Sequence, residues 1–261
     1  MRILITGAGK MGVWLSDALC LQHEVAVYDK DFNRLRYVFH TLRFTKEDEI
    51  RDFDPELLIN AVNLQHTISA FEALIPLVSE KCIIADIASV KNGLQSFYPN
   101  CGRPFVSVHP MFGPTFASLQ QLSNHHAIII RESCVAGKQF FKSFFGQLGI
   151  HLHEYSFEEH DQTIAYSLSV PFAATLVFGS SMKHQQAPGT TFARHLAIAR
   201  GLLSEDDHLL SEILFNRYTT PQLKQISKSL EQLTAIAEAR DEAAMHAYLM
   251  KIRENLADFG S

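Results

Sequence analysis

The chain has 261 residues, 47% hydrophobic and 20% charged, a globular balance that excludes a disordered, collagen-like or disulfide-scaffold protein. Its 23 Lys and Arg against 28 Asp and Glu give a formal net charge of −5 without a basic run, so neither nucleic acid nor an anionic membrane surface is an expected partner. The length predicts one large domain or two small ones.

The longest apolar stretches, at 81–90 and 173–178, stop short of the roughly 18 residues of a membrane span, so no crossing of a bilayer is expected. Glycines at 7, 9 and 12 interrupt the apolar N-terminus before the h-region of a signal peptide forms. Cys20, Cys82, Cys101 and Cys134 lie far apart with no CxxC, the usage of reduced thiols in a cytoplasmic protein. The pairs His125-His126 and His151-x-His153 have no Cys or carboxylate at ligand spacing. They read as strand or surface histidines, and no metal site is expected.

In chain order, strands are predicted at 2–6, 24–28, 57–62, 82–85, 105–108 and 127–130, with helical patterns over 11–21 and 67–78 among them. Strands alternating with helices require right-handed crossovers, hence a mostly parallel sheet covered on both faces. The expectation is a doubly wound α/β domain at 1–153 and an all-helical domain at 154–261. In the second part Ser156-Phe-Glu-Glu159 is a capping box, and residues 204–207 offer another acidic helix start. Thr220-Pro221 reads as a cap and first helical position, followed by Leu223, Ile226, Leu230, Leu233 and Ile236 at spacings of three and four. Met245, Leu249, Ile252 and Leu256 repeat the pattern in a last helix, and Pro171 should kink or split its own. With no internal repeat or low-complexity linker, the two halves are expected to pack tightly.

Gly7-Ala-Gly9-Lys10-Met11-Gly12 follows the first strand and opens a helix, the context in which a GxGxxG segment binds a dinucleotide. Its first glycine permits the tight turn, its second lets a pyrophosphate approach the backbone, and its third lets helix pack on strand. Asp29 ends the second strand, where a carboxylate accepts from both ribose hydroxyls and repels the 2′-phosphate of NADP. NAD is therefore favoured, with Arg34 the residue that softens the preference. A methyltransferase can carry the same loop, so other residues must decide. Two further segments, 86–93 and 109–114, each sit just past the carboxyl end of a predicted strand, where open α/β sheets bind ligands. His109 in the second has the ordinary pKa near 6.5 that suits a proton acceptor at neutral pH. A structural histidine reads equally well there, and nearby Ser89 and Lys91 tilt the balance toward chemistry.

Together the glycine loop, Ala88-Ser-Val-Lys-Asn-Gly93, His109-Pro-Met-Phe-Gly-Pro114, Glu159-His-Asp-Gln162 and Leu196-Ala-Ile-Ala-Arg200 resemble the prephenate dehydrogenase family of tyrosine biosynthesis, from Ile3 to about Phe259. The resemblance implies an NAD-dependent oxidative decarboxylation of prephenate to 4-hydroxyphenylpyruvate, in a Rossmann-type domain followed by a helical domain that forms a homodimer. It places the catalytic histidine on His109 and a serine beside the substrate hydroxyl on Ser89. His160, Lys91 and Gly113 become substrate-binding positions, Lys91 as an anion partner and Gly113 as a close-approach glycine. Arg200, with Arg194 as alternative, would grip a substrate carboxylate. The cofactor would rest on Gly7, Gly9, Lys10, Met11, Gly12 and Asp29.

The chain departs from the family twice. Ser169-Val-Pro-Phe172 stands where several members have His-Leu-Pro-His, and Ala199-Arg200-Gly201 where relatives end in Gly-Arg. Neither a chorismate mutase segment before residue 1 nor a regulatory domain after residue 261 is expected. The rival readings are an arogenate dehydrogenase, a β-hydroxyacid dehydrogenase, and a catalytically silent dinucleotide-sensing module. For the second the required lysine would have to be Lys183, poorly placed in the polar stretch at 179–189.

Overall fold

Along β1 (Arg2–Thr6), Ile3 and Ile5 enter one apolar layer and Leu4 the other, because successive side chains of a strand point to opposite faces. Val25 and Val27 against Ala26 repeat this in β2 (Glu24–Tyr28), as do Leu57 and Ile59 against Leu58 in β4 (Leu57–Asn60). Both faces are therefore covered, as a parallel sheet requires. The computed structural model describes residues 1–113 and 122–257, which leaves Pro114 and Phe259 outside the described residues.

The other strands are β3 (Leu42–Phe44), β5 (Ile83–Asp86), β6 (Phe105–Pro110), β7 (His126–Ile130) and β8 (His151–Tyr155). Among the described residues the eight form one sheet in the order β3-β2-β1-β4-β5-β6-β7-β8. Pairing is parallel throughout except between β6 and β7, so the Rossmann-type, mostly parallel expectation holds. The order reverses between β1 and β4, the switch point at which such sheets bind ligands beyond the strands' carboxyl ends.

The helices of this half are α1 (Lys10–Leu19), α2 (Glu47–Phe53), α3 (Thr67–Leu74), α4 (Leu94–Phe97) and α5 (Val135–Gln147). The helix predicted over 67–78 is α-helical only to Leu74 and continues as a tighter turn at Ile75–Leu77, since Pro76 has no N–H to extend the ladder.

Six helices follow: α6 (Phe157–Ser167), α7 (Ser169–Ser181), α8 (Thr190–Leu202), α9 (Asp207–Leu214), α10 (Thr219–Ala239) and α11 (Glu242–Ala257). The capping box forms as expected: Ser156 N–H donates to Glu159 Oε2 at 2.7 Å and Glu159 N–H to Ser156 Oγ at 3.1 Å. The run splits at Leu168, with Pro171 in the first turn of α7. The acidic start is displaced, because Asp206 rather than Ser204 accepts the N–H groups of His208 and Leu209.

Two compact units emerge, Met1–Ile164 with Asp206–Glu212, and Ala165–Glu205 with Ile213–Ser261. The division falls later than the 153/154 boundary drawn from the sequence. Phe157 at the start of α6 is buried in the same apolar layer as Tyr98 and Ile84, and Asn92 donates to Glu212 at 2.9 Å. Residues Phe157–Ser181 span 25 residues and contain an 18-residue window of mean hydropathy 1.4, long and apolar enough, by length and composition alone, to cross a membrane. The separate apolar runs in the sequence did not suggest this.

Candidate active site

Gly7 has φ +98°, and a Cβ there would lie 2.8 Å from the Ala61 carbonyl oxygen, while one on Gly12 would meet Gly7 O at 1.9 Å. Gly7 thus makes the turn and Gly12 the close packing of helix on loop. Gly9 has open space where a Cβ would stand and caps α1 without a side-chain acceptor or an acidic residue in the first turn. That helix end turns its first N–H groups toward an incoming anion. Thr6, Gly7, Gly9, Asp29, Arg34 and Asn63 are among the residues lining a cavity of about 580 Å³. Asp29 accepts the Ala8 N–H on Oδ2 at 2.8 Å and the Asp31 N–H on Oδ1 at 2.9 Å, which fixes its carboxylate at the rim. Open space at Gly9, a carboxylate at the ribose position and a cavity of this size fit a dinucleotide. Lys10, Met11 and Gly12 form the first turn of α1 and are not among the lining residues.

At the end of β6, His109 is buried and its Nδ1 lies 3.0 Å from Nε2 of the fully buried His160. His160 is held by the first turn of α6, and its Nδ1 is 3.3 Å from Asp161 Oδ1. His160, expected at a substrate-binding position within the 154–261 domain, belongs to the first unit, and its ring meets that of His109 in β6. Burial, the neighbouring imidazole and the Lys91 charge hold the His109 pKa well below its ordinary value. Burial and then Lys91 bring that of His160 down to about 3. Both rings are therefore neutral at physiological pH.

Lys91, expected as an anion partner, lies deep in the first unit. Its side chain is fully buried, and Nζ donates to Asp86 Oδ1 at 2.6 Å and to the Val108 carbonyl at 2.7 Å. Its charge is met from within the protein, and it braces Val108, the residue preceding His109. Tyr98 OH donates to the other oxygen of Asp86 at 2.5 Å. Burial lowers the Lys91 pKa while Asp86 opposes the shift, and burial with the Asp86 charge raises that of Tyr98 well above its ordinary value. Asp86 and Tyr98 were not singled out from the sequence. The available signal was a carboxylate closing an apolar strand with a lysine five residues on.

Ser89 sits in the loop after β5, half-buried, and Gly113 is exposed at the last described position before 122. Among the described residues no hydrogen bond joins Ser89 to His109. Arg194 and Arg200 are both exposed on α8 in the second unit. Ser169, the first residue of the Ser169-Val-Pro-Phe172 departure, is fully buried and bonds Thr219 Oγ1 at 2.8 Å and the Ile213 carbonyl at 3.1 Å. His126 Nδ1 and His153 Nε2 meet at 3.0 Å across β7 and β8, yet among the described residues no group of three ligands could hold a metal.

Comparison with known proteins matches residues 18–143 to the family described as prephenate dehydrogenase, nucleotide-binding domain. The match begins beyond the glycine loop and takes in Asp29, Ser89, Lys91, His109 and Gly113. The T-protein of Enterobacter agglomerans is 24% identical, over 98% of this chain and 67% of its own length. Prephenate dehydrogenase from A. aeolicus, in complex with hydroxyphenyl propionate and NAD+, superposes with a TM-score of 0.85 at 17% identity over 99% of this chain and 98% of that one. Synechocystis arogenate dehydrogenase gives 0.77 at 15% identity over 99% and 100%. At these identities the structural likeness concerns the fold.

Proposed function

We propose that this chain is a member of the prephenate dehydrogenase family, to whose nucleotide-binding domain residues 18–143 are similar, and that it catalyses the NAD-dependent oxidative decarboxylation of prephenate to 4-hydroxyphenylpyruvate. The observation that carries the reading is a neutral, buried His109–His160 pair in the same compact unit as a dinucleotide-shaped cavity at the switch point. Bound NAD supplies the nicotinamide that accepts hydride from the carbinol carbon. His109 Nε2, without a hydrogen-bond partner among the described residues, takes the proton of the substrate hydroxyl. As carbon dioxide leaves and the ring becomes aromatic, the same nitrogen returns that proton to the phenolate oxygen. Burial by β6 and α6 excludes competing water from the imidazole pair. The first test is turnover of prephenate with NAD, set against arogenate, which differs in an amino group replacing the keto group.

Asp29 at the cavity rim makes NAD the better cofactor. NAD should support turnover far better than NADP, and Asp29→Ser should narrow the gap by removing a charge that repels the 2′-phosphate. Equal kcat/KM with both cofactors in the unmodified enzyme contradicts this.

Arg200 is the proposed anchor for a substrate carboxylate, since a planar guanidinium binds one bidentately. Six residues on a helix turn through about 600°, so Arg194 and Arg200 occupy different faces of α8. Arg200→Lys should raise the KM for prephenate about tenfold, the scale of a charge-assisted hydrogen bond, and Arg194→Lys far less. The reverse ranking in steady-state kinetics would transfer the role to Arg194.

The second unit leaves Val177, Ile198, Leu230 and Leu256 more than half exposed. A second copy of this chain is the proposed cover, through residues after 153 in a symmetric homodimer. Light scattering should report a dimer at micromolar concentration, and a monomer refutes it.

A further inference from the structure

His109 and His160 share one proton across their 3.0 Å contact, and only one of the two arrangements makes His109 a base. If His109 Nδ1–H donates, its Nε2 keeps a bare lone pair. If instead His160 Nε2–H donates, His109 carries its own proton on Nε2 and cannot accept another. In the first arrangement His160 Nε2 is the acceptor, so the proton of the neutral His160 ring sits on Nδ1. That nitrogen lies 3.3 Å from Asp161 Oδ1. In the second, a lone pair on His160 Nδ1 would face the carboxylate, acceptor against acceptor, in a ring with no exposure to water.

We propose that Asp161 is a positioning residue that sets the tautomer of the whole pair: it accepts from His160 Nδ1–H, which turns His160 Nε2 into the acceptor for His109 Nδ1–H and leaves His109 Nε2 free. Asp161 does not reach the reacting atoms; it acts through His160. The remaining charges by the pair are Lys91 and Asp86, bonded to each other at 2.6 Å, so the Lys91 ammonium opposes a second proton on either ring while donating to neither. The proposal rests on His109 as the general base, but it predicts a property of the free protein that needs no substrate.

The test is long-range ¹H–¹⁵N correlation of the imidazole nitrogens in the unmodified, labelled protein, followed by Asp161→Asn and Asp161→Glu. In the unmodified protein both His109 and His160 should carry their proton on Nδ1. In Asp161→Asn, whose amide can turn its NH₂ toward His160, His109 should move to the Nε2–H form. Its kcat should fall by about 10²-fold, within the range for disabling a general base, with KM for prephenate changed by less than about twofold. Asp161→Glu, which keeps an acceptor, should restore the Nδ1–H form and most of kcat. A His109 ring protonated on Nε2 in the unmodified protein overturns the proposal, as does Asp161→Asn with the tautomer unchanged. If the tautomers are as stated and prephenate is not turned over, the proposed reaction fails while the positioning role stands.

Discussion

Replacing His109 by Asn is expected to lower kcat by roughly 10² to 10⁴, the range for removing a general base, while NAD affinity stays near its original value. The separation follows from geometry: the cavity that fits the dinucleotide is lined by residues that include those of β1, β2, the β4–α3 connection and α3, and His109 is the next-to-last residue of β6. The unmodified enzyme should also keep its activity to an acid limb in kcat/KM below pH 6.5. Only a neutral imidazole accepts the proton, and burial together with His160 and Lys91 holds the His109 pKa well below 6.5. As pH falls, the inactive imidazolium therefore forms later than on an ordinary histidine. Near-normal kcat in His109→Asn, or an acid limb at or above pH 6.5, removes His109 from this role.

Asp86→Ala should be the most destabilising single change near the site, at about 3–5 kcal/mol, the cost of leaving a buried ion-pair partner uncompensated. Among the described residues Lys91 would retain the Val108 carbonyl as its acceptor, and the Tyr98 hydroxyl would lose the Asp86 carboxylate. The double variant Asp86→Ala with Lys91→Met should recover most of the loss, because an apolar chain of similar length places no charge in the core. Trp14, the single tryptophan of the chain, packs edge-on against Phe112 and Phe144. Urea unfolding followed by its fluorescence reports on the unit that holds the ion pair. A shift below about 1 kcal/mol for Asp86→Ala would mean that the pair is not charged in the folded protein.

What the sequence revealed is what short spacings encode. The glycine loop, Asp29 and the histidine near the end of β6 are each defined within one strand–turn–helix step, so their places follow from neighbouring residues alone. The His109–His160 contact joins residues 51 apart, and no local pattern carries it. The capping box at Ser156 marks correctly where strands give way to helices. A change of element type is nevertheless not a change of packing, and α6 remains with the sheet through Phe157 and His160. The burial of Lys91 was not legible in the sequence: lysine is by default an exposed charge, and only the register of β5 with β6 brings Asp86 and Val108 close enough to bury it. β3, with three residues at the sheet edge, is too short to show an alternation.

The most direct measurement is incubation of the purified full chain with prephenate and NAD, with NADH and 4-hydroxyphenylpyruvate followed together and arogenate run in parallel. Equimolar NADH and 4-hydroxyphenylpyruvate are expected from prephenate, at a higher kcat/KM than for arogenate. Preference for arogenate would contradict the substrate assignment. Binding of NAD without turnover of either compound would contradict the enzyme reading and leave a silent dinucleotide-binding module.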